Sequence, residues 1–486
     1  MLASSYLLVS RAGSRFSRSV MPLVLTLAAL FAAGCGGGSG AIFSGDTAVV
    51  VLASSTANDQ LSAFTVTIKS LTLTSKTGTT VNLLASPVTE EFIHLNGHAE
   101  PIATVSIPQG DYVSATETIE GSDPICNAQA SGMNMTDGLT GGPSATINVP
   151  QPVTVTGKAM GLVLNLQVNK YPEGCPTPTE YGTAPPVSAT FNLIPLAIAT
   201  PPTNSSNGMA AGMEGTIVSA GSGGSGIDVS GLVDGQTPPI WQASVSNSTI
   251  FQGVSAASQL AAGIPVDMDV AIQPDGSLLA TRVAVINSNT KTLTVASGPL
   301  MFVRSPVTWV IGAAQQGYLP ESVGGFGYVN FANAQFQISG QLGNLASLPF
   351  NASFNSTNIV PGQNTTVTTQ ATGIAAGADY DPLTTISLRP QTVNGTVTGI
   401  STTGNFTTYT VTLAGYDIFP QFAIQPGQTT LLTNPNTVVV YADTSTQMLN
   451  SGAVSVGGLF RFYGLVFNDN GTLKMDCAQV NDGVTE

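Results

Sequence analysis

The chain has 486 residues, only 8% of them charged, and 13 Lys and Arg stand against 27 Asp and Glu. So acidic a balance repels phosphate backbones, which disfavours nucleic acid as a partner and argues against a peripheral hold on anionic lipid. Ser, Thr, Asn and Gly supply the polarity instead, and 53 Gly with 30 Pro favour short strands and turns over long helices.

Residues 1–34 carry Arg11, Arg15 and Arg18 and no acid, then the apolar run Val20–Phe31, then the small residues Ala32, Ala33 and Gly34. Twelve helical residues rise about 18 Å against a bilayer core of about 30 Å, so the run reads as a secretory leader rather than a membrane span. Ala32-Ala33-Gly34-Cys35 resembles the lipobox of bacterial lipoproteins, with alanine at position 32 where that family more often has leucine. The resemblance implies that Cys35 receives a diacylglycerol thioether and begins the mature chain, which is then held at the membrane by its N-terminal lipid anchor. Ordinary secretion with cleavage nearby is the alternative. Gly36, rather than an acid, after the cysteine resembles an outer-membrane sorting signal, so the expected location is the cell envelope. Residues 35–46 then form the lipidated end and a flexible, Gly-rich tether.

The first folded unit is expected over residues 47–200. Thr47–Leu52 reads as a buried strand. Phe64, Val66 and Ile68 share one face and Leu71 and Leu73 the opposite parity, so a β-bulge is expected near Lys69 and Ser70. Leu162, Leu164, Leu166 and Val168 alternate cleanly, and the short strands between Gly/Pro turns imply an antiparallel sandwich. The segments FTVTIKSLTL, IPQGDYVSATETI and VTVTGKAMGLVLNLQV resemble an uncharacterised domain family of bacterial surface lipoproteins, an immunoglobulin- or prealbumin-like sandwich that carries no established activity.

Residues 201–212 read as a linker, after which the chain repeats. MEGTIVSA (213–220) and VNGTVTGI (393–400) are near twins. Each precedes a Thr-rich strand (STIF or NTVVVY), a central segment (AGIPVDMDVAI or VGGLFRFYGLVF) and a turn at Asp275-Gly276 or Asn470-Gly471. Type I′ hairpins need positive φ at both central positions, which these pairs suit. A degenerate middle copy, with PGQNTTVTTQ at 361–370, places modules at 213–296, 297–390 and 391–486. They resemble short barrel modules of unknown function found beside the first domain in such lipoproteins. The expected fold is therefore all-β: an N-terminal antiparallel β-sandwich followed by about three tandem small β-barrel or sandwich modules.

Cys126 and Cys175 both lie in loop-like sequence and are expected to pair in an oxidising compartment, closing a loop worth about 4 kcal/mol. Cys477 alternates with Leu473 and Met475 and reads as a buried strand thiol.

No catalytic constellation emerges. His94 and His98 flank Asn96-Gly97, a turn signal, and the HExxH order is absent. They read as an exposed hairpin tip, with no metal site expected. Any Ser-His hydrolase would need one of them, and no G-x-S-x-G elbow accompanies them. Asp267 and Asp269 are two apart and so share a strand face about 7 Å apart, compatible with glycoside hydrolysis but equally with a solvated face. Trp309, Tyr318 and Tyr328 lie among glycines and would either pack in a core or stack on a sugar or a partner's groove. The reading is a non-catalytic, lipid-anchored envelope protein without a cofactor, structural or binding a glycan or envelope protein. The alternative is a carbohydrate-active hydrolase using paired carboxylates.

Overall fold

In the computed structural model the described residues are 44–483, except 56–60, 127–143, 148–151, 171–187, 203–206, 222–224, 233–237, 289–292, 313, 317–325, 340–344, 371–380, 416, 424–426, 430–431 and 449–451. Cys35, Cys175, Tyr318 and the side chain of Cys126 lie outside the described residues, and with them the expected lipidation and disulfide.

Apolar alternation builds two facing sheets at the N-terminal end. One holds β1 (Asp46–Ser55), β5 (Ala99–Pro108), β9 (Ala159–Lys170) and β10 (Ser188–Leu196) in the order β10-β9-β1-β5. The other is built on the long pair β2 (Leu61–Ser75) and β6 (Gly110–Cys126). Joined to it are β3 (Thr80–Asn82), β4 (Val88–Glu91), β7 (Ser144–Ile147) and β8 (Val153–Val155). Val49 and Val51 meet Phe64, Val66, Leu162 and Leu164 in one buried cluster between the sheets. The ladder of β2 slips between Ile68 and Ser70, so Phe64, Val66 and Ile68 as well as Leu71 and Leu73 all point into that cluster, as their parity predicts. Tyr112 donates its hydroxyl to the Pro108 carbonyl at 2.8 Å, a tyrosine corner of the kind found in immunoglobulin-like sandwiches. The sandwich departs from the expected antiparallel pattern in one respect: β1 runs parallel to β9.

Three five-strand rings follow. The first contains β11 (Met209–Ala220), β12 (Gly226–Gly231), β13 (Ile240–Ser244), β15 (Pro265–Ile272) and β16 (Leu278–Val285), with β14 (Ile250–Gln252) at its side. The second contains β17 (Leu293–Arg304), β18 (Val307–Ile311), β20 (Phe326–Asn330), β22 (Asn364–Gln370) and β23 (Asp381–Leu388), with β19 (Ala314–Gln316) and β21 (Gln335–Ile338) at its side. The third is a closed barrel of β24 (Gln391–Thr403), β25 (Phe406–Leu413), β26 (Thr437–Met448), β27 (Leu459–Asp469) and β28 (Thr472–Asp482).

In each ring the first strand pairs with the second and fourth, the second with the third and the fourth with the fifth, all antiparallel. The third and fifth then close it in parallel. Even the irregularity recurs. The third position is interrupted between β13 and β14, between β20 and β21, and at Ala442–Gln447 within β26, and both parts pair with the fifth strand each time. The middle segment therefore has the architecture of the outer two, and β22, which carries most of PGQNTTVTTQ, occupies its fourth position.

Local details refine the expectations. Asn470 (φ 53°) and Gly471 (φ 87°) make the type I′ turn, whereas at Asp275-Gly276 only the glycine is left-handed and the loop closes through Gly276 N–H on the Gln273 carbonyl at 2.9 Å. Of STIF only Ile250 and Phe251 enter a strand, and it is the side strand β14. β11 begins at Met209, inside the stretch read as linker, because Ala210 is recruited into the buried core. Cys477 is a buried free thiol packed beside Met475 and Leu473, as its alternation predicts.

The apolar clusters do not stop at module boundaries. Val50 and Leu52, on the opposite face of β1, join the core of the first ring, and Leu465 and Phe467 of β27 join that of the second. Trp241 donates its indole N–H to the Pro101 carbonyl across the first of these junctions at 2.9 Å. Among the described residues no helix is long and apolar enough to cross a membrane.

Candidate functional site

The segment from Glu90 to Glu100 holds both histidines of the chain and three of its acids. Glu91, the last residue of β4, organises it. Its Oε1 accepts the backbone N–H groups of Phe64 (2.7 Å) and Ile93 (2.9 Å), and its Oε2 accepts that of His94 (2.8 Å). The chain is thereby wound around one buried carboxylate, and Oε2 also meets His94 Nδ1 at 3.1 Å. The other ring nitrogen, Nε2, then faces Glu100 Oε2 at 3.5 Å and Glu90 Oε1 at 3.9 Å. His98 Nε2 lies 3.7 Å from Glu100 Oε1, and the two imidazoles stand 6.0 Å apart, centroid to centroid.

This overturns the expected exposed hairpin tip: the side chains of His94 and His98 are only 12% and 16% exposed. The turn at Asn96-Gly97 exists, but it is pressed against the third barrel. Gly97 (φ 93°) lies so close to Tyr463 and Thr392 that a Cβ would collide with the tyrosine ring. The charges follow from burial and pairing. Burial alone disfavours the His94 cation, yet the Glu100 and Glu91 carboxylates more than offset it and raise its pKa well above the usual imidazole range. Glu100, despite burial, is held down at about 2 by His94 and His98. Burial carries Glu90 the other way, up to about 8, against a partial pull from His94.

His94, Asn96, His98 and Glu100 form one wall of a recess with about 80 Å³ of room. The first ring contributes Glu214, the second Ser297, Asn364 and Arg389, and the third Gln391, Thr392 and Tyr463. Asn96 and Thr392 both line the recess, and their buried Oδ1 and Oγ1 have no hydrogen-bond partner among the described residues.

Below the recess, Asp267 and Asp269 do share a face of β15, but not a solvated one. Arg282 of β16 donates Nη2 to Asp267 (2.7 Å) and Nε to Asp269 (2.7 Å). Arg389, just after β23, grips the second oxygen of Asp267 through Nη1 and reaches Glu214 through Nε at 3.1 Å. Asp267 is 3% exposed, and although burial opposes its charge, Arg389 and Arg282 hold its pKa down at about 2. Parity shows that the two carboxylates share a face. It cannot show the arginines that bury them, since Arg389 lies 122 residues from Asp267.

Trp309 on β18 and Tyr328 on β20 are cross-strand partners with rings 5.1 Å apart, and Phe302 of β17 lies 4.8 Å from Trp309 on its other side. Trp309 packs against the apolar core of the third barrel, while Tyr328 is 41% exposed. The signal that points to the recess was present in the sequence. Both histidines sit within four residues of a glutamate in a chain with only 8% charged residues. Neither the family models nor the curated proteins contain a match to this chain.

Proposed function

We propose that the protein is an exported, non-catalytic binding protein of the cell envelope, tethered through a lipid on Cys35, and that its interdomain recess takes a polar ligand such as a glycan end. The observation that carries the reading is the recess itself. Ligand sites favour domain junctions, and here residues from the sandwich and all three rings converge on one recess with about 80 Å³ of room. The buried acceptors Asn96 Oδ1 and Thr392 Oγ1 suit the hydroxyl donors of a sugar. Apart from the recess, Tyr328 is an exposed ring on the third strand of its module, beside Trp309 of the second, the pair of strands whose face OB-type five-stranded barrels use for oligosaccharides. The leader and the lipobox-like Ala32-Ala33-Gly34-Cys35 support the envelope location.

A hydrolase using Asp267 and Asp269 is the competing reading. Glycoside hydrolysis needs one carboxyl kept protonated as general acid. The arginine grip on Asp267 works in the opposite direction, which favours a structural role.

Isothermal titration of the full delipidated chain with envelope glycan fragments tests the binding reading. The expected result is saturable binding weakened at least tenfold by Asn96→Ala or Thr392→Val. Absence of saturable binding overturns it, and a glycosidase activity abolished by Asp267→Asn replaces it with the rival. Intact-mass analysis of the mature N-terminus tests the anchor: a diacylglyceryl mass on Cys35 is expected, and an unacylated end overturns it.

A further inference from the structure

Three carboxylates, those of Glu90, Glu91 and Glu100, are each at least 96% buried within one turn of chain, and none pairs with a lysine or arginine among the described residues. Two imidazoles serve all three. Buried carboxylates are ordinarily matched by cations or by metal ions, and three features favour a metal here. Donor atoms of Glu90, His94 and Glu100 all lie within 4.8 Å of one another. Two ligands each about 2.1 Å from a tetrahedral zinc are about 3.4 Å apart, close to the 3.5 Å and 3.9 Å that separate His94 Nε2 from Glu100 and Glu90. Glu90 Oε2, on a residue 1% exposed, has no hydrogen-bond partner among the described residues, so the site holds a carboxylate oxygen that the protein itself does not satisfy.

Around these atoms the second layer is already in place. Glu91 accepts from His94 Nδ1, the carboxylate–histidine arrangement that fixes the tautomer and turns Nε2 toward a metal. His98 faces the remaining oxygen of Glu100, and His94, His98 and Glu100 all line the recess, which supplies a route in. We propose that Glu90, His94 and Glu100 bind a divalent metal ion of the zinc class, with His98 held against the other oxygen of Glu100. Calcium and magnesium ask for six or more oxygens, and two carboxylates with two imidazoles do not supply them. The inference goes beyond the ligand-binding reading and does not rest on it.

The test is calorimetric titration of the chelator-treated full chain with Zn²⁺, paired with visible spectra of the Co²⁺-loaded protein. One Zn²⁺ per chain and tetrahedral Co²⁺ bands are expected. Affinity should fall at least 100-fold in His94→Gln and Glu100→Gln, and about 10- to 100-fold in Glu91→Gln. Cys477→Ser, in the core of the third barrel and not lining the recess, should bind as the parent does. Glu90→Gln keeps the side-chain volume, so it decides the matter if the histidine variant fails to fold by circular dichroism. No stoichiometric binding overturns the proposal, as does binding that persists unchanged in a folded Glu90→Gln or His94→Gln variant. Either failure leaves the glycan titration to be judged by itself.

Discussion

Gly97 shows how much of the site rests on a missing side chain. Its φ of 93° is left-handed, and a Cβ there would run into the Tyr463 ring and sit 2.9 Å from Thr392 Oγ1. Gly97→Ala should therefore destabilise the chain by about 2 kcal/mol or more, through the left-handed penalty and the displaced ring together. Chemical denaturation at fixed pH reads this out, and an unchanged midpoint would refute the packing of the turn on the third barrel. Glu117 offers a second residue-scale test. It alternates with Ala115 and Ile119 on the core face of β6, and neither of its carboxyl oxygens has a hydrogen-bond partner among the described residues. Burial pushes its pKa from 4.5 up to about 8. Because the folded value is raised, the native state is favoured most below about pH 4.5 and loses stability as pH rises through 8. Glu117→Gln should remove that slope and leave the variant more stable than the parent at pH 9, by on the order of a few kcal/mol. Melting curves across pH decide it: parallel slopes in parent and variant would contradict the burial. Neither behaviour was legible in the sequence. Asn96-Gly97 announces a turn, but residues of another module, hundreds of positions away, determine whether that turn is open to water.

At the scale of elements, the repeat was readable where it is written in backbone constraints. The twin segments 213–220 and 393–400 become the first strands of their rings. Gly215 and Gly395 occupy equivalent places, where a Cβ would strike the carbonyl oxygen of Ser230 on the neighbouring β12 or of Thr412 on β25. Close strand approach at these points explains why glycine recurs. Gly215→Ala and Gly395→Ala should each cost about 1–3 kcal/mol, as overpacked interiors do. Differential scanning calorimetry checks the pair. A cost at one position only would mean that the twin strands do not play the same part. The β2 bulge was legible for a similar reason, since a parity change between Ile68 and Leu71 has no other solution if every apolar side chain is to be buried. The middle copy was harder to read because residues 371–380, between its fourth and fifth strands, contain no Asp-Gly or Asn-Gly pair. Its identity lies in strand order and in the split third strand, which depend on pairing partners and leave little local trace.

Across the whole molecule, the modules are joined through shared interior rather than strung on linkers. Hydrophobic clusters cross from the sandwich to the first ring and from the second ring to the third. Between the first and second rings a small apolar cluster of Leu232, Val295 and Ala314 is reinforced by an ionic bridge: Arg389 joins Asp267 and Glu214, and its Nη2 reaches the Gly212 carbonyl at 3.2 Å. Asp267 in turn is bound by Arg282, so one carboxylate holds guanidinium groups from two modules. Removing one member of such a buried set leaves the others uncompensated, which typically costs about 3–5 kcal/mol. Arg389→Ala should incur a loss of that order and, because the bridge joins two rings, should split a single calorimetric transition into separate ones. Arg304→Ala, at an exposed position, should stay within about 0.5 kcal/mol of the parent. The network also has a defined pH window. With the Asp267 pKa depressed to about 2, its contribution is complete above the ordinary carboxylate value of 3.8 and fades as pH falls through 2. Acid should therefore uncouple the parent's rings, and it should do so less in Arg389→Ala, where the bridge is already gone. If the variant instead melts as one unit with the parent's acid sensitivity, the rings are joined by their apolar contacts alone and Asp267 is not the link between them.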